Sequence, residues 1–274
     1  MIKVSKSSAG DRDGGVKRLA ILYEDNHIIA VVKPAGILTQ GDRTGDINLM
    51  DMVKDYLKEK YHKPGNVFLG LVHRLDKPVS GIVLFGKNSK GASRLSEQFR
   101  NHTIQKTYHG IVIGKLDKEK GEIKEKVNKI SFFAEGFTNK TDEELLEEIK
   151  KATKTRTAEL SWEVVKSNDE YSLLKIMPKT GRFHQIRIQM ANMGHPILGD
   201  EKYGGPAAAW SNVKSPDGKV PTKSWTREEI GAVEDPRLRR DIGLCATAIS
   251  FKNATGEKQI NLEIPLPEDW EKYI

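Results

Sequence analysis

Three short polar clusters interrupt apolar surroundings: Lys33-Pro34-Ala35-Gly36, His73-Arg74-Leu75-Asp76, and Thr180-Gly181-Arg182-Phe183-His184-Gln185-Ile186-Arg187. They bring cations, imidazoles and one carboxylate into short runs, the residue types that catalysis and anion binding use. Each cluster alone also has a plain structural reading. KPAG makes a turn, HRLD a surface charge pair, and TGRFHQIR a helix start with Arg182 and Arg187 in solvent. His184, His195 and Asp200 invite a metal reading, but no HExxH or comparable ligand spacing occurs, so no metal site is expected. Ser80 lacks the nucleophile-elbow sequence of a serine hydrolase.

Composition sets the frame for these clusters. The chain has 274 residues, enough for one large domain with a core and a cleft. No apolar run approaches the roughly 20 residues of a spanning helix, and mean hydropathy is -0.54, so no membrane partner is expected. The amino terminus is basic and Gly/Ser-rich without the apolar block of a secretory signal, and residues 1–16 read as a flexible tail. A single cysteine, Cys245, excludes an intrachain disulfide or a cysteine-based zinc site and fits a reducing, cytoplasmic interior. The formal charge of +7 favours a polyanionic partner.

The elements that must position the clusters are partly legible. Two apolar runs around Glu24-Asp25-Asn26 predict a hairpin. Asn48 reads as the N-cap of a helix that carries Leu49, Met50, Val53 and Leu57 to Tyr61 and stops at Lys63-Pro64-Gly65. Ile82 to Phe85 is a short, continuous apolar run, as in a buried strand, and Lys90 to Arg100 is helical. Strands are expected at 106–113, 158–165, 171–177, 243–251 and 258–264, with a helix from His184 to Gly194. Thr141 and Glu144 form a capping box for an acidic helix. The lysine-dense segment 115–129 and the long 204–240 insertion have no assigned element; each is either solubilising or a source of affinity for the polyanionic partner. Strands joined by hairpins and interspersed with helices define an α+β class: one domain, 17–274, with a largely antiparallel mixed sheet flanked by helices.

Taken together, HRLDKPVSG, KTYHGIVIG and TGRFHQIRIQMANMGHPILGD, in that order, resemble the RluA-type family of pseudouridine synthases. VVKPAGILT at the start and LCATAISF and IPLPEDW at the end extend the resemblance from about Leu19 to Trp270. It implies a pseudouridine synthase-like catalytic domain with a central RNA-binding cleft, no cofactor, and a monomer. Its substrate would be ribosomal RNA of the large subunit in the first reading and transfer RNA in the second. By position, the catalytic aspartate falls on Asp76, the tyrosine that stacks on the target base on Tyr108, and the arginine that pairs with the aspartate on Arg182. Arg74 is expected to hold the place of the flipped nucleotide in the RNA, with Lys33 and His73 as further RNA-binding residues. Val79, Phe183 and Cys245 depart from the usual pattern without touching the three catalytic positions. The S4-like RNA-binding domain of many relatives is not expected ahead of residue 17.

The implied reaction detaches uracil from ribose C1′ at N1 and reattaches it through C5, which needs no redox group. A carboxylate serves such sugar chemistry by attacking C1′, by stabilising an oxocarbenium-like sugar, or by assisting proton removal, and the sequence leaves all three open. It supplies one motif aspartate where a glycoside hydrolase needs a pair. A non-catalytic RNA-binding protein on the same fold is the rival reading, whose signature would be loss of Asp76, Tyr108 or Arg182. All three are present.

Overall fold

The computed structural model describes residues 19–43, 45–127, 156–204 and 241–274. The elements in chain order are β1 (Ile21–Glu24), β2 (Ile28–Lys33), α1 (Leu49–Lys60), β3 (Gly70–Leu71), β4 (Ser80–Gly86), α2 (Ser89–Arg100), β5 (Gln105–Ile113), β6 (Lys120–Val127), β7 (Arg156–Ser167), β8 (Tyr171–Pro178), α3 (Gln185–Asn192), β9 (Leu244–Lys252) and β10 (Gln259–Glu263). The strands form one ten-stranded sheet, ordered β1-β2-β4-β9-β5-β8-β7-β6, with β10 also on β9 and β3 on β4. Every described pairing is antiparallel except β4 with β9. This is the α+β arrangement with a largely antiparallel mixed sheet that the sequence predicts.

The unbroken apolar runs of β2 and β4 follow from burial of both sheet faces. Ile29, Val31, Val83 and Phe85 face one core, where α1 inserts Leu49, Val53 and Leu57 and α3 adds Ile186 and Met190. Ile28, Ala30, Val32, Ile82 and Leu84 face the other, with Leu95 of α2 and with Trp270 and Tyr273. Each such aliphatic side chain contributes about 1.5–3 kcal/mol by leaving water. Asn48 caps α1 as expected, its Oδ1 accepting the Asp51 N–H at 3.1 Å.

Part of the segment 115–129, to which the sequence assigns no element, is regular structure. Residues 120–127 form the edge strand β6, in register with β7 from Lys120 opposite Glu163 to Val127 opposite Arg156. Lys120, Lys124 and Lys126 alternate outward while Ile123 packs inward. Lysines on an edge strand discourage pairing with another chain. The acidic helix after Thr141, the expected tail 1–16 and residues 205–240 of the insertion lie outside the described residues.

Two backbone features place the site. The parallel contact of β4 with β9 pairs Ser80 with Cys245 and Gly81 with Ala246. A Cβ on Gly81 would lie 2.3 Å from the Ala246 carbonyl oxygen, and Gly81 has φ +123°, so only glycine fits. The second is a bulge in β9. Thr107 pairs with Ala248 but Tyr108 with Ala246, leaving Thr247 unmatched; its Oγ1 bridges the Thr107 carbonyl and His109 Nδ1. Such a bulge re-aims the neighbouring side chains.

Away from the cleft, Glu24 ties β1 to α1 and β4. Its carboxylate accepts from Lys87 (2.6 Å), Lys60 (2.7 Å), Tyr61 (2.6 Å) and Tyr56 (3.0 Å). Burial alone would raise its pKa, but these hydrogen bonds outweigh burial and hold it down at about 2.

Unfolding measurements can check both the close approach and the Glu24 cluster. Gly81→Ala should cost at least about 3 kcal/mol in urea unfolding, since the clash is with backbone and cannot be relieved by a rotamer change. Because the folded-state pKa of Glu24 is depressed, its contribution is complete above about 4.5 and is lost as pH falls toward about 2. Glu24→Gln should therefore be less stable than wild type by about 1–3 kcal/mol at pH 7, and the two unfolding curves should converge near pH 2.

Candidate active site

The HRLD cluster lies in the loop between β3 and β4, and the chain fixes that loop from several sides. Thr39 Oγ1 donates to the Leu75 carbonyl (2.8 Å) and accepts the Leu75 N–H (3.1 Å). The Gly36 N–H donates to the Lys77 carbonyl at 2.8 Å. Lys33 Nζ donates to the carbonyls of Pro34 (3.0 Å), Ile37 (2.8 Å) and Lys77 (3.1 Å). Leu75 and Val79 anchor the loop in the core on either side of Asp76.

Asp76 itself is 26% exposed at the side chain. Its Oδ2 accepts from Arg187 Nη1 at 3.2 Å and faces His184 Nε2 at 3.6 Å. Both contacts fall on Oδ2, so Oδ1 has no hydrogen-bond partner among the described residues. Arg187 is held in turn by Asp200 through two parallel bonds, Nε to Oδ2 at 2.6 Å and Nη2 to Oδ1 at 2.8 Å. Side-chain exposure is 6% for Arg187 and 1% for Asp200. Such a bidentate fork fixes the guanidinium plane, which then presents Nη1 to Asp76. Burial works against the charge on Arg187, but the bond and charge of Asp200 together with Asp76 prevail and raise its pKa.

His184 precedes α3 in the left-handed region at φ 48° and stacks on Phe183, ring centroids 3.8 Å apart. Its Nδ1 lies 3.2 Å from Arg187 Nη1 and 3.0 Å from the Tyr203 hydroxyl. An arginine only donates, so Nδ1 is an acceptor and, in the neutral ring, Nε2 carries the proton that faces Asp76. Burial, aided by the charge of Arg187, lowers the His184 pKa to about 3. Tyr203 closes the group, its ring 5.1 Å from the Arg187 guanidinium.

Tyr108, on β5, packs partly buried against the same core, and the sheet order β4-β9-β5 separates it from the Asp76 loop by one strand. Burial first, and then the charge of Asp76, raises its pKa, so it remains a neutral phenol.

The structure corrects three expected roles. The ion pair with Asp76 is made by Arg187 and not by Arg182, whose Nε donates to the Thr157 carbonyl at 3.1 Å. The reason is position. Arg182 lies in the turn before α3, where its N–H bonds to Gln185 Oε1 at 3.0 Å, whereas Arg187 lies inside a helix whose residues 185–190 are all buried. Lys33 is 0% exposed with all three donors spent on carbonyls, so it positions the Asp76 loop and reaches no phosphate. Burial lowers its pKa to about 7, against the opposing charge of Asp76. His73 accepts the Leu84 N–H at 2.9 Å and packs on Phe99; burial lowers its pKa to about 3, so it brings RNA no positive charge. Arg74 is exposed, as an RNA-contacting residue must be.

Sequence reasoning missed Arg187 and Asp200 as parts of the site. A signal was available: Ile186-Arg187-Ile188 places an arginine between core residues, and a buried arginine needs a carboxylate. Among the described residues no three His, Cys, Asp or Glu side chains group as a metal site.

The fold and this site together define a class. The solved structures of Human RNA Pseudouridylate Synthase Domain Containing 4 and 1 share the fold. Their TM-scores are 0.64 and 0.60 at 21% and 18% identity, over 92% and 94% of this chain and 90% and 87% of theirs. Residues 27–192 match the family model for RNA pseudouridylate synthase, and the chain belongs to that family. It is 37% identical over 192 residues to tRNA pseudouridine synthase C of Haemophilus ducreyi, covering 68% of this chain and 74% of the relative. It is 34% identical over 184 residues to ribosomal large subunit pseudouridine synthase C of Buchnera aphidicola, covering 67% of this chain and 54% of the relative. The chain thus spans only about half the length of the second.

Arg187→Lys keeps one charge but loses the fork on Asp200 and the third bond to Asp76. Family activity should fall about 100-fold or more, equivalent to about 2.7 kcal/mol. Arg182→Lys should cost far less, about 5-fold at most, because no carboxylate depends on it. Initial-rate assays of the two variants side by side check the assignment.

Proposed function

We propose that the protein isomerises uridine to pseudouridine in structured RNA, with Asp76 as the catalytic carboxylate and Tyr108 as the residue against which the target base stacks. The observation that carries this reading is the asymmetry of Asp76: Oδ2 is held by Arg187 while Oδ1 has no partner among the described residues. A held carboxylate with one available oxygen is suited to act at ribose C1′ as the N1–C1′ bond breaks. The C5–C1′ bond then forms, and the proton on C5 is exchanged for one on N1, so the product is an isomer. The geometry favours catalysis over RNA binding alone, because a passive surface needs no buried Asp200–Arg187 pair directed at a carboxylate.

A stacked uridine must leave the helix to reach Asp76, at a cost of about a few kcal/mol in unstacking. In this reading Arg74, exposed and two residues before Asp76, takes the vacated position and Tyr108 stacks on the flipped base. Tyr108 does not ionise near neutral pH, so any polar part it plays is that of a neutral hydroxyl. Exclusion of water from the detached sugar prevents an abasic product.

Large-subunit ribosomal RNA is the substrate we infer, and the Buchnera relative's name supports it. Transfer RNA is the second reading, supported by the name of the Haemophilus relative. A single catalytic domain acting as a cytoplasmic monomer without a cofactor completes the proposal, with a sole, buried cysteine supporting the compartment. No helix among the described residues is long and apolar enough to cross a membrane.

The test is tritium release from RNA carrying 5-³H-uridine. Asp76→Asn should lower release at least about 10⁴-fold while RNA affinity stays within about 3-fold. Release by that variant at more than a tenth of the wild-type rate contradicts the role of Asp76. Tyr108→Phe keeps the ring and loses the hydroxyl, so retention of the wild-type rate would limit Tyr108 to stacking, while a fall of about 10-fold or more would add a polar role.

A further inference from the structure

Among the described residues, Lys106 is a cation that the catalytic chemistry leaves unexplained. It lies two residues before Tyr108 on β5, across the bulge that the β5–β9 pairing makes there. It is half-buried, and its one hydrogen bond among the described residues is a long one, 3.4 Å, from Nζ to the Thr180 carbonyl. A Cβ on Gly181 would stand 3.7 Å from its Nζ, so the ammonium lies beside the turn that carries Arg182. On its other side its charge reaches His73, the residue before Arg74.

Among the described residues no carboxylate pairs with these cations. None of Lys106, Arg74 and Arg182 forms an ion pair with an acidic side chain among the described residues. Desolvation is the cause that lowers the Lys106 pKa, to about 8, with no acidic neighbour to offset it. A lysine that is desolvated but lacks an anion has a binding site's economy, because the missing counter-charge is available from a ligand.

We propose that Lys106, with Arg182 beside it, grips a backbone phosphate of the RNA next to the flipped uridine. This rests on the reading of the site as an RNA pseudouridine synthase and adds to it the residues that hold the strand. Lys106 supplies a point charge and Arg182 the outer wall, its Nη atoms not engaged by the Thr157 carbonyl that holds Nε. The contact sits where β5 meets the turn before α3. RNA held there enters with its target nucleotide directed at Asp76.

The experiment measures filter-binding affinity of the full chain for unmodified transcripts of transfer RNA and of large-subunit ribosomal RNA, across salt concentration. Tritium release from the same transcripts is followed in parallel. Lys106→Met keeps the apolar stem and removes the charge. Its slope of log affinity against log salt should be shallower by about 1, and its affinity should be weaker by about 5–10-fold, a larger loss than in the saturated rate. Lys106→Arg should restore both. An unchanged slope, or a loss that Lys106→Arg does not restore, overturns the phosphate contact. If wild type releases no tritium from either RNA, the functional reading fails as well; if it releases tritium with an unchanged Lys106→Met slope, only this inference fails.

A readout on wild type avoids reliance on the folding of Lys106→Met. Lysine loses its charge as pH rises through about 8, whereas arginine does not. Between pH 7 and 9 the wild-type affinity should fall relative to that of Lys106→Arg. Of the groups near Lys106, His73 is neutral throughout and Tyr108 remains protonated, and Arg182 is the neighbouring cation. Parallel pH profiles for the two proteins contradict the proposal.

Discussion

The buried pair of Arg187 and Asp200 is the constraint on which the site depends. A guanidinium inside an apolar helix cannot stand alone, and the two bonds from Asp200 satisfy it while fixing its plane. What remains is Nη1, which the helix directs at Asp76. The same arginine sets the His184 tautomer and lies against the Tyr203 ring. One buried charge therefore orders side chains from three separate stretches of sequence: the HRLD loop, the HQIR helix and the GD–KYG turn.

The sheet supplies the complementary constraint. Asp76, in the loop that leads into β4, and Tyr108, on β5, sit on either side of β9, and their separation follows how closely β4 approaches β9 and the bulge at Thr247. Gly81 permits the first and Thr247 produces the second. The loop carrying Asp76 is then held by carbonyl bonds from Lys33 and Gly36 and by the paired bonds of Thr39, so a buried ammonium has a structural role at the edge of a catalytic centre. Burial thus turns Lys33 from a surface charge into a clamp on the loop.

Local pattern makes much of this legible. The β1–β2 hairpin, the Asn48-capped helix, the buried run at Ile82 to Phe85 and the helix ending at Gly194 all carry signals within ten or so residues, and all occur. Asp76 and Tyr108 are readable from motifs. The parallel β4–β9 pairing is not, because it joins residues more than 160 positions apart through only two register pairs. Between Arg182 and Arg187 the sequence offers only the apolar neighbours of the second as a guide: both lie in one motif, and it is burial against Asp200 that separates the helical arginine from the turn arginine. Lys33 and His73 mislead because a lysine beside a proline and a histidine beside an arginine look basic, whereas burial turns one into a carbonyl clamp and the other into a neutral acceptor.

The most direct test of the account is single-nucleotide mapping of pseudouridine across ribosomal and transfer RNA after deletion of the gene, with complementation by wild type and by Asp76→Ala. The account predicts that a small set of uridines loses the modification and that wild type alone restores it. Restoration by Asp76→Ala, or no change at any uridine on deletion, would contradict the claim that the carboxylate held by Arg187 performs the isomerisation.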